Sequence, residues 1–154
     1  MARNWASIDK MKYKKDSLAF AFAVLGLIAN VVYFALLYKN NSNFFYSYMM
    51  GISVIYNLVF MLIVFLSAEE VKTYHRNYSF VLFVLAGIQL FRIFFYPRRA
   101  LKAEVITGDA YLRMAICLAV SGVFLLFAAI KSFWSSTILK RYLEGKIKTS
   151  ADEV

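Results

Sequence analysis

Residues Leu85–Lys102 read "LAGIQLFRIFFYPRRALK": an apolar run that holds Gln89 and Arg92, then meets Pro97 and a pair of arginines. Traced back to Tyr78, the apolar part approaches the ~20 residues that carry a helix across ~30 Å of hydrocarbon. Proline has no N–H and its ring clashes with the carbonyl four residues earlier, so the helix is expected to end near Tyr96. Three more runs of similar character occupy Leu18–Tyr38, Phe44–Ala68 and Tyr111–Ile130. A helix buried in a soluble core is shorter and keeps a polar face; these runs have almost none. The 154 residues are 62% hydrophobic and 18% charged, against roughly 45–50% apolar and 25% charged in soluble domains. The implied fold class is all-α, a four-helix transmembrane bundle in an integral, multi-pass membrane protein.

The first run exceeds the ~7–15 residues of a signal-peptide core and no small-residue cleavage pattern follows it before Lys39, so it reads as a retained span. Three parts result. Residues 1–16 form a basic cytoplasmic segment, 17–131 the transmembrane domain with spans at about 18–38, 44–68, 78–96 and 111–130, and 132–154 an amphipathic and then disordered cytoplasmic tail. In that tail Trp134, Ile138 and Tyr142 share a helical face, and Gly145 suits a C-terminal cap. Cations set the orientation. With both termini cytoplasmic, the inner side holds five cations before the first span, Lys72 and Arg76 in the second loop, and five after the last span. The outer side holds Lys39, Arg98, Arg99 and Lys102. Aromatic residues mark both interfaces, with Tyr38, Phe44, Phe45, Tyr46, Phe95, Tyr96 and Tyr111 outside and Tyr74, Tyr78, Phe133 and Trp134 inside.

Catalysis finds no support. His75 is the only histidine and Cys117 the only cysteine, too few for a metal site, and no cofactor is implied. Glu69 and Glu70 are adjacent and so diverge on a helix; they read as charges at the inner end of the second span, near Lys72. No phosphate loop or nucleophile elbow occurs, and the chain reads as no enzyme. Asn40-Asn41-Ser42 and Asn77-Tyr78-Ser79 match the glycosylation pattern but hug the bilayer. A formal charge of +9 without a nucleic-acid-binding motif points to anionic lipids of the bilayer and away from nucleic acid. The arginines do not recur every third residue as in a voltage sensor.

The polar residues inside the runs carry what remains. Ala19, Ala23, Gly26 and Asn30 form a small-residue stripe for close helix approach, and Asn30, Asn57 and Ser121 read as hydrogen-bonding contacts between packed helices. Ser53 and Asn57 share one face of the second span, Gln89, Arg92, Tyr96 and Arg99 one of the third, and Arg113, Cys117 and Ser121 one of the fourth. Residues 50–62 also match residues 114–126 at an offset of 64, which suggests two repeated hairpins and places Asn57 over Ser121. Arg92 lies five residues before Pro97, so its Cα sits roughly 7–8 Å below the expected helix end. Two readings stand beside each other: a side chain that snorkels to the interface, or one member of an anion site with Gln89, Arg98, Arg99, Lys102 and Arg113. The leading functional expectation is a small oligomeric transport or channel-type protein with an outward-facing basic site for an anion or anionic lipid. The alternative is a non-catalytic accessory or scaffold subunit. Either implies a homo-oligomer or a partner membrane protein, since four helices make a thin bundle. A polar path past Asn57 and Ser121 favours the first; an apolar plug there favours the second.

Overall fold

A computed structural model describes residues 16–39, 47–102, 104 and 106–152, with residues 47–50, 96 and 145–152 described by backbone alone. The basic segment before Asp16, the Asn40-Asn41-Ser42 pattern and the aromatic residues Phe44, Phe45 and Tyr46 lie outside the described residues. Five helices follow in chain order: α1 (Ser17–Lys39), α2 (Ser47–Lys72), α3 (Arg76–Arg92), α4 (Tyr96–Lys102) and α5 (Gly108–Asp152). There is no strand among the described residues. Four helical stretches are long and apolar enough to cross a membrane, α3 and α4 counting as one. Helix α5 packs along both α1 and α3, and α2 bridges α1 and α3 on the opposite side. The bundle is a ring in the order α1, α2, α3, α5.

Heptad-like spacing decides which residues face inward. On α1 the buried set is Ala19, Ala23, Gly26, Asn30, Tyr33 and Leu37, alternating steps of four and three. That spacing keeps one seam on the partner helices. The small-residue stripe therefore packs inward as expected, and it continues for two larger residues. Outward faces carry Leu25, Ile28, Ile55, Leu58, Leu62, Val84, Phe91, Ile116, Val123 and Phe127, all exposed. Such a surface matches hydrocarbon as its surroundings.

Two apolar layers fill the ring. Where α1 begins, Ala19, Ala23, Phe60, Val64, Leu82, Ala86, Leu125 and Ala128 form one cluster. Where α1 ends, Tyr33, Leu37, Met114 and Leu118 form the other, with Ile93 and Ile106 against it. Between them Gly26 allows α1 and α5 to meet. A Cβ on it would lie 3.0 Å from Leu125 Cγ and 3.1 Å from the Ser121 carbonyl oxygen.

Local chemistry fixes the ends. Asp16 is buried and caps α1, its Oδ1 accepting the Ala19 N–H at 3.1 Å, while its own N–H donates to the Lys72 carbonyl at 3.0 Å. Replacing Asp16 by Ala is expected to cost about 1 kcal/mol, with Asn recovering most of it; thermal unfolding in detergent reads the difference. Lys72 reaches Glu69 at 3.4 Å and lies 4.3 Å above the Phe20 ring, as the acidic pair near Lys72 foretells. The α2–α3 turn holds Tyr74 at φ 64, the left-handed region that costs a non-glycine residue about 1–2 kcal/mol. Burial, reinforced by the Asp16 charge, pushes the Tyr74 phenol above its ordinary value of 10.0. A raised folded-state pKa makes this contribution full below pH 10 and lost as pH climbs through the folded value. Tyr74→Phe is expected to flatten the alkaline fall in stability above pH 10, read from unfolding midpoints at a series of pH values.

The third stretch, Arg76–Lys102, contains the expected span and carries a break inside it. Helix α3 stops at Arg92, and the Ile93, Phe94 and Phe95 N–H groups bond three residues back. Pro97, fully buried, then sits in the first turn of α4, where a missing N–H does no harm. A tightened turn ahead of the proline resolves its clash with Ile93. The C-terminal extension continues the fourth stretch as helix, as its spacing suggests. Thr107 Oγ1 caps α5 by accepting the Ala110 N–H at 3.4 Å, and the helix then runs unbroken through Gly145 to Asp152. Gly145 is no cap and the stretch after Lys148 is helical as far as Asp152, because nothing in it breaks the i to i−4 ladder.

Candidate functional site

Between the two apolar layers lies a band of buried polar side chains drawn from all four long helices. Ser121 on α5 donates to the Gly26 carbonyl on α1 at 2.7 Å. With its proton so committed, its oxygen accepts from Gln89 Nε2 at 3.3 Å, and this fixes the orientation of the Gln89 amide. The same Nε2 donates to Asn30 Oδ1 at 2.7 Å, a bond across the ring from α3 to α1. Gln89 Oε1 and Asn30 Nδ2 are buried with no hydrogen-bond partner among the described residues.

The second half of the band is built on Arg92. Its side chain is 8% exposed. It donates through one terminal nitrogen to Asn57 Oδ1 at 2.8 Å and through the other to Ser53 Oγ at 3.4 Å. Asn57 Nδ2 donates in turn to the Ser53 carbonyl at 2.7 Å, which turns its oxygen toward the arginine. The guanidinium carbon lies 4.8 Å from the Tyr33 ring centre and 4.6 Å from that of Tyr56. A buried, desolvated guanidinium costs about 3 kcal/mol or more unless it is partnered. Two desolvated ring contacts of ~1–2 kcal/mol each, with two charge-assisted hydrogen bonds, are of the size that offsets it. Arg92 therefore points into the bundle instead of snorkelling to its end.

No acid joins it. The ion pairs among the described residues are Lys72–Glu69, His75–Glu70 and Lys140–Glu144, all near the opposite end of the bundle. Only two of the five guanidinium N–H groups have acceptors among the described residues. Arg92 also lines a lateral groove between α2 and α3 of about 390 Å³, with Ile52, Ser53, Tyr56, Ile88, Phe91 and Phe95. Tyr56 Oη is buried there without a hydrogen-bond partner among the described residues.

The structure thus redistributes the residues singled out by sequence. Gln89 bonds with Asn30 and Ser121, and Arg92 with Asn57 and Ser53, so two of the expected ligand residues join the expected packing residues in one buried band. Arg98, Arg99, Lys102 and Arg113 are exposed and take no part in it; Arg99 rests 5.8 Å from the Phe95 ring centre. Asn57 and Ser121, matched in the apparent repeat, play different parts: one accepts from Arg92, the other links Gln89 to Gly26. Tyr33 and Tyr56 escape the sequence reading, which places Ser53 beside Asn57 but not with Arg92. Tyr33 continues the step after Asn30, Tyr56 neighbours Asn57, and Ser53 stands one turn from Asn57, but nothing in their spacing names Arg92 as the common partner.

A helical bundle with a buried, acid-free arginine open sideways defines a class: an apolar helical protein with an internal cation. Comparison with protein-family models, with curated proteins and with solved structures finds no match to this chain.

Proposed function

We propose that the chain is a multi-pass membrane protein with both termini cytoplasmic, and that it binds an anion or anionic lipid sideways at Arg92 as a non-catalytic subunit of a larger membrane assembly. The observation that carries this reading is the Arg92 guanidinium, buried and hydrogen-bonded yet facing no carboxylate among the described residues. A buried charge without a counter-ion is costly, so a ligand that supplies the opposite charge binds with a matching advantage. The exposed apolar belt supports insertion, and the excess of Lys and Arg at the termini and the α2–α3 turn supports the orientation. The two apolar layers above and below the polar band weigh against a continuous path for ions along the axis.

The test is compositional. Full-length protein is extracted in neutral detergent and its retained lipids are quantified against the source membrane. Enrichment of anionic amphiphiles that disappears in Arg92→Gln is expected. Equal anionic content in both proteins would sink the reading. Chloride efflux from proteoliposomes that depends on Arg92 would instead favour transport.

A further inference from the structure

The depth of Arg92 and the shape of its groove specify the ligand more narrowly than its charge does. Ser53 and Asn57, which hold the guanidinium, lie six and ten residues into α2. At 1.5 Å per residue that is about 9 and 15 Å from the start of the helix. Half of a ~30 Å hydrocarbon core is ~15 Å, so the guanidinium sits below the level of lipid phosphates. A phosphodiester carries polar groups and a second chain attached near it, and these hold it at the interface. A carboxylate that ends a single alkyl chain has no such burden.

Resting on the anion-site reading above, we propose that the α2–α3 groove binds an unesterified long-chain carboxylate. Its head pairs with Arg92 and its chain lies between the two helices. A carboxylate accepts two parallel N–H bonds from a guanidinium, and Arg92 retains N–H groups without acceptors among the described residues. Tyr56, whose ring centre lies 4.6 Å from the guanidinium carbon and whose buried hydroxyl has no hydrogen-bond partner among the described residues, offers a further donor to the head. Ile52, Ile88, Phe91 and Phe95 give the chain apolar walls. The groove opens sideways, so the ligand enters from the bilayer without crossing the apolar layers that close the ring.

The protein's own residues explain why the arginine is not simply neutralised from within. An acid on α1 or α5 would close the pair permanently, whereas Asn57 and Ser53 orient the guanidinium while leaving its charge intact. The Tyr33 and Tyr56 ring centres lie 4.8 and 4.6 Å from the guanidinium carbon and stabilise the charge without neutralising it.

The experiment is native mass spectrometry of the full chain in neutral detergent with palmitate, hexadecanol or phosphatidylglycerol added. A single palmitate is expected to bind, with hexadecanol about tenfold weaker or worse for lack of the charge-assisted bonds. Arg92→Gln is expected to weaken palmitate by a similar factor, about tenfold or more. Ile88→Trp, at an exposed position outside the polar band, fills the groove and is expected to abolish binding while thermal unfolding stays unchanged. Equal binding of palmitate and hexadecanol, or palmitate binding indifferent to both substitutions, overturns the proposal. Arg92-dependent binding of phosphatidylglycerol in preference to palmitate overturns it but leaves the anion-site reading standing. Arg92-dependent retention of a stoichiometric membrane protein with an acidic residue in its span, and no palmitate, also overturns it in favour of a docked helix. Binding of no anion by any route overturns both readings.

Discussion

Asn57→Ala is expected to destabilise the bundle by about 1.5–3 kcal/mol, the cost of removing the best hydrogen-bond partner of a buried charge. The Asn57 carbonyl takes the shorter of the two hydrogen bonds that Arg92 makes, 2.8 Å against 3.4 Å to Ser53 Oγ. Arg92→Met is expected to behave oppositely. An apolar side chain of similar length removes the charge and the need for the partner together, and such replacements of buried charges are often neutral or stabilising. The double variant is then the informative one: Asn57→Ala in the Arg92→Met background should cost no more than ~1 kcal/mol. Unfolding in a graded denaturing detergent measures all three variants on one scale. Additive losses would mean that Arg92 and Asn57 do not share a bond.

Gly26→Leu is expected to be the other severe change. A single added methyl already meets Leu125 at 3.0 Å and the Ser121 carbonyl at 3.1 Å. The first of these is a side chain that can yield; the second is helix backbone and cannot move without shifting α5. The remaining carbons of leucine have no volume to occupy, so α1 and α5 must separate. Separation breaks the 2.7 Å bond from Ser121 to the Gly26 carbonyl and with it the anchor of Gln89. Overpacking costs typically ~1–3 kcal/mol, and a lost buried hydrogen bond adds ~1 kcal/mol or more. Gly26→Ala is expected to show the smaller part of this, since its one methyl meets Leu125 and the Ser121 carbonyl but adds no further carbons. A Gly26→Leu protein as stable as wild type would refute the close approach of α1 and α5.

Much of the helical architecture is legible in the sequence because it depends on local runs. Length and apolarity mark the four long stretches, and the steps of four and three from Ala19 to Asn30 mark the seam of α1. The excess of cations at the termini is equally local, which is why it supports an orientation. Arg92 is different. Sequence spacing gives the depth of its Cα, but its side chain direction depends on Asn57 and Ser53, thirty-five and thirty-nine positions away. Tyr33 and Tyr56 look like apolar filler in their runs, since a ring face that receives a cation leaves no mark on hydropathy. Pro97 was a dependable sign that the helix must end, yet its effect starts ahead of the ring, where the chain tightens after Arg92. Arg98, Arg99, Lys102 and Arg113 illustrate the converse. Proximity in sequence to one hairpin end groups them with Arg92, while helix rotation leaves them exposed.

The account rests on a polar band sealed inside apolar layers, with Arg92 approached only from the side. Ser121→Cys in a Cys117→Ser background tests that arrangement most directly, with a membrane-impermeant thiol reagent applied to each face of reconstituted vesicles. Ser121 is fully buried, and its layer is closed by Leu125 toward one end and by Leu118 and Met114 toward the other. No modification from either face is expected, while unfolded protein reacts fully. Rapid modification of the folded protein from either face would contradict that arrangement, because it would place water in the band that holds Gln89 and Arg92.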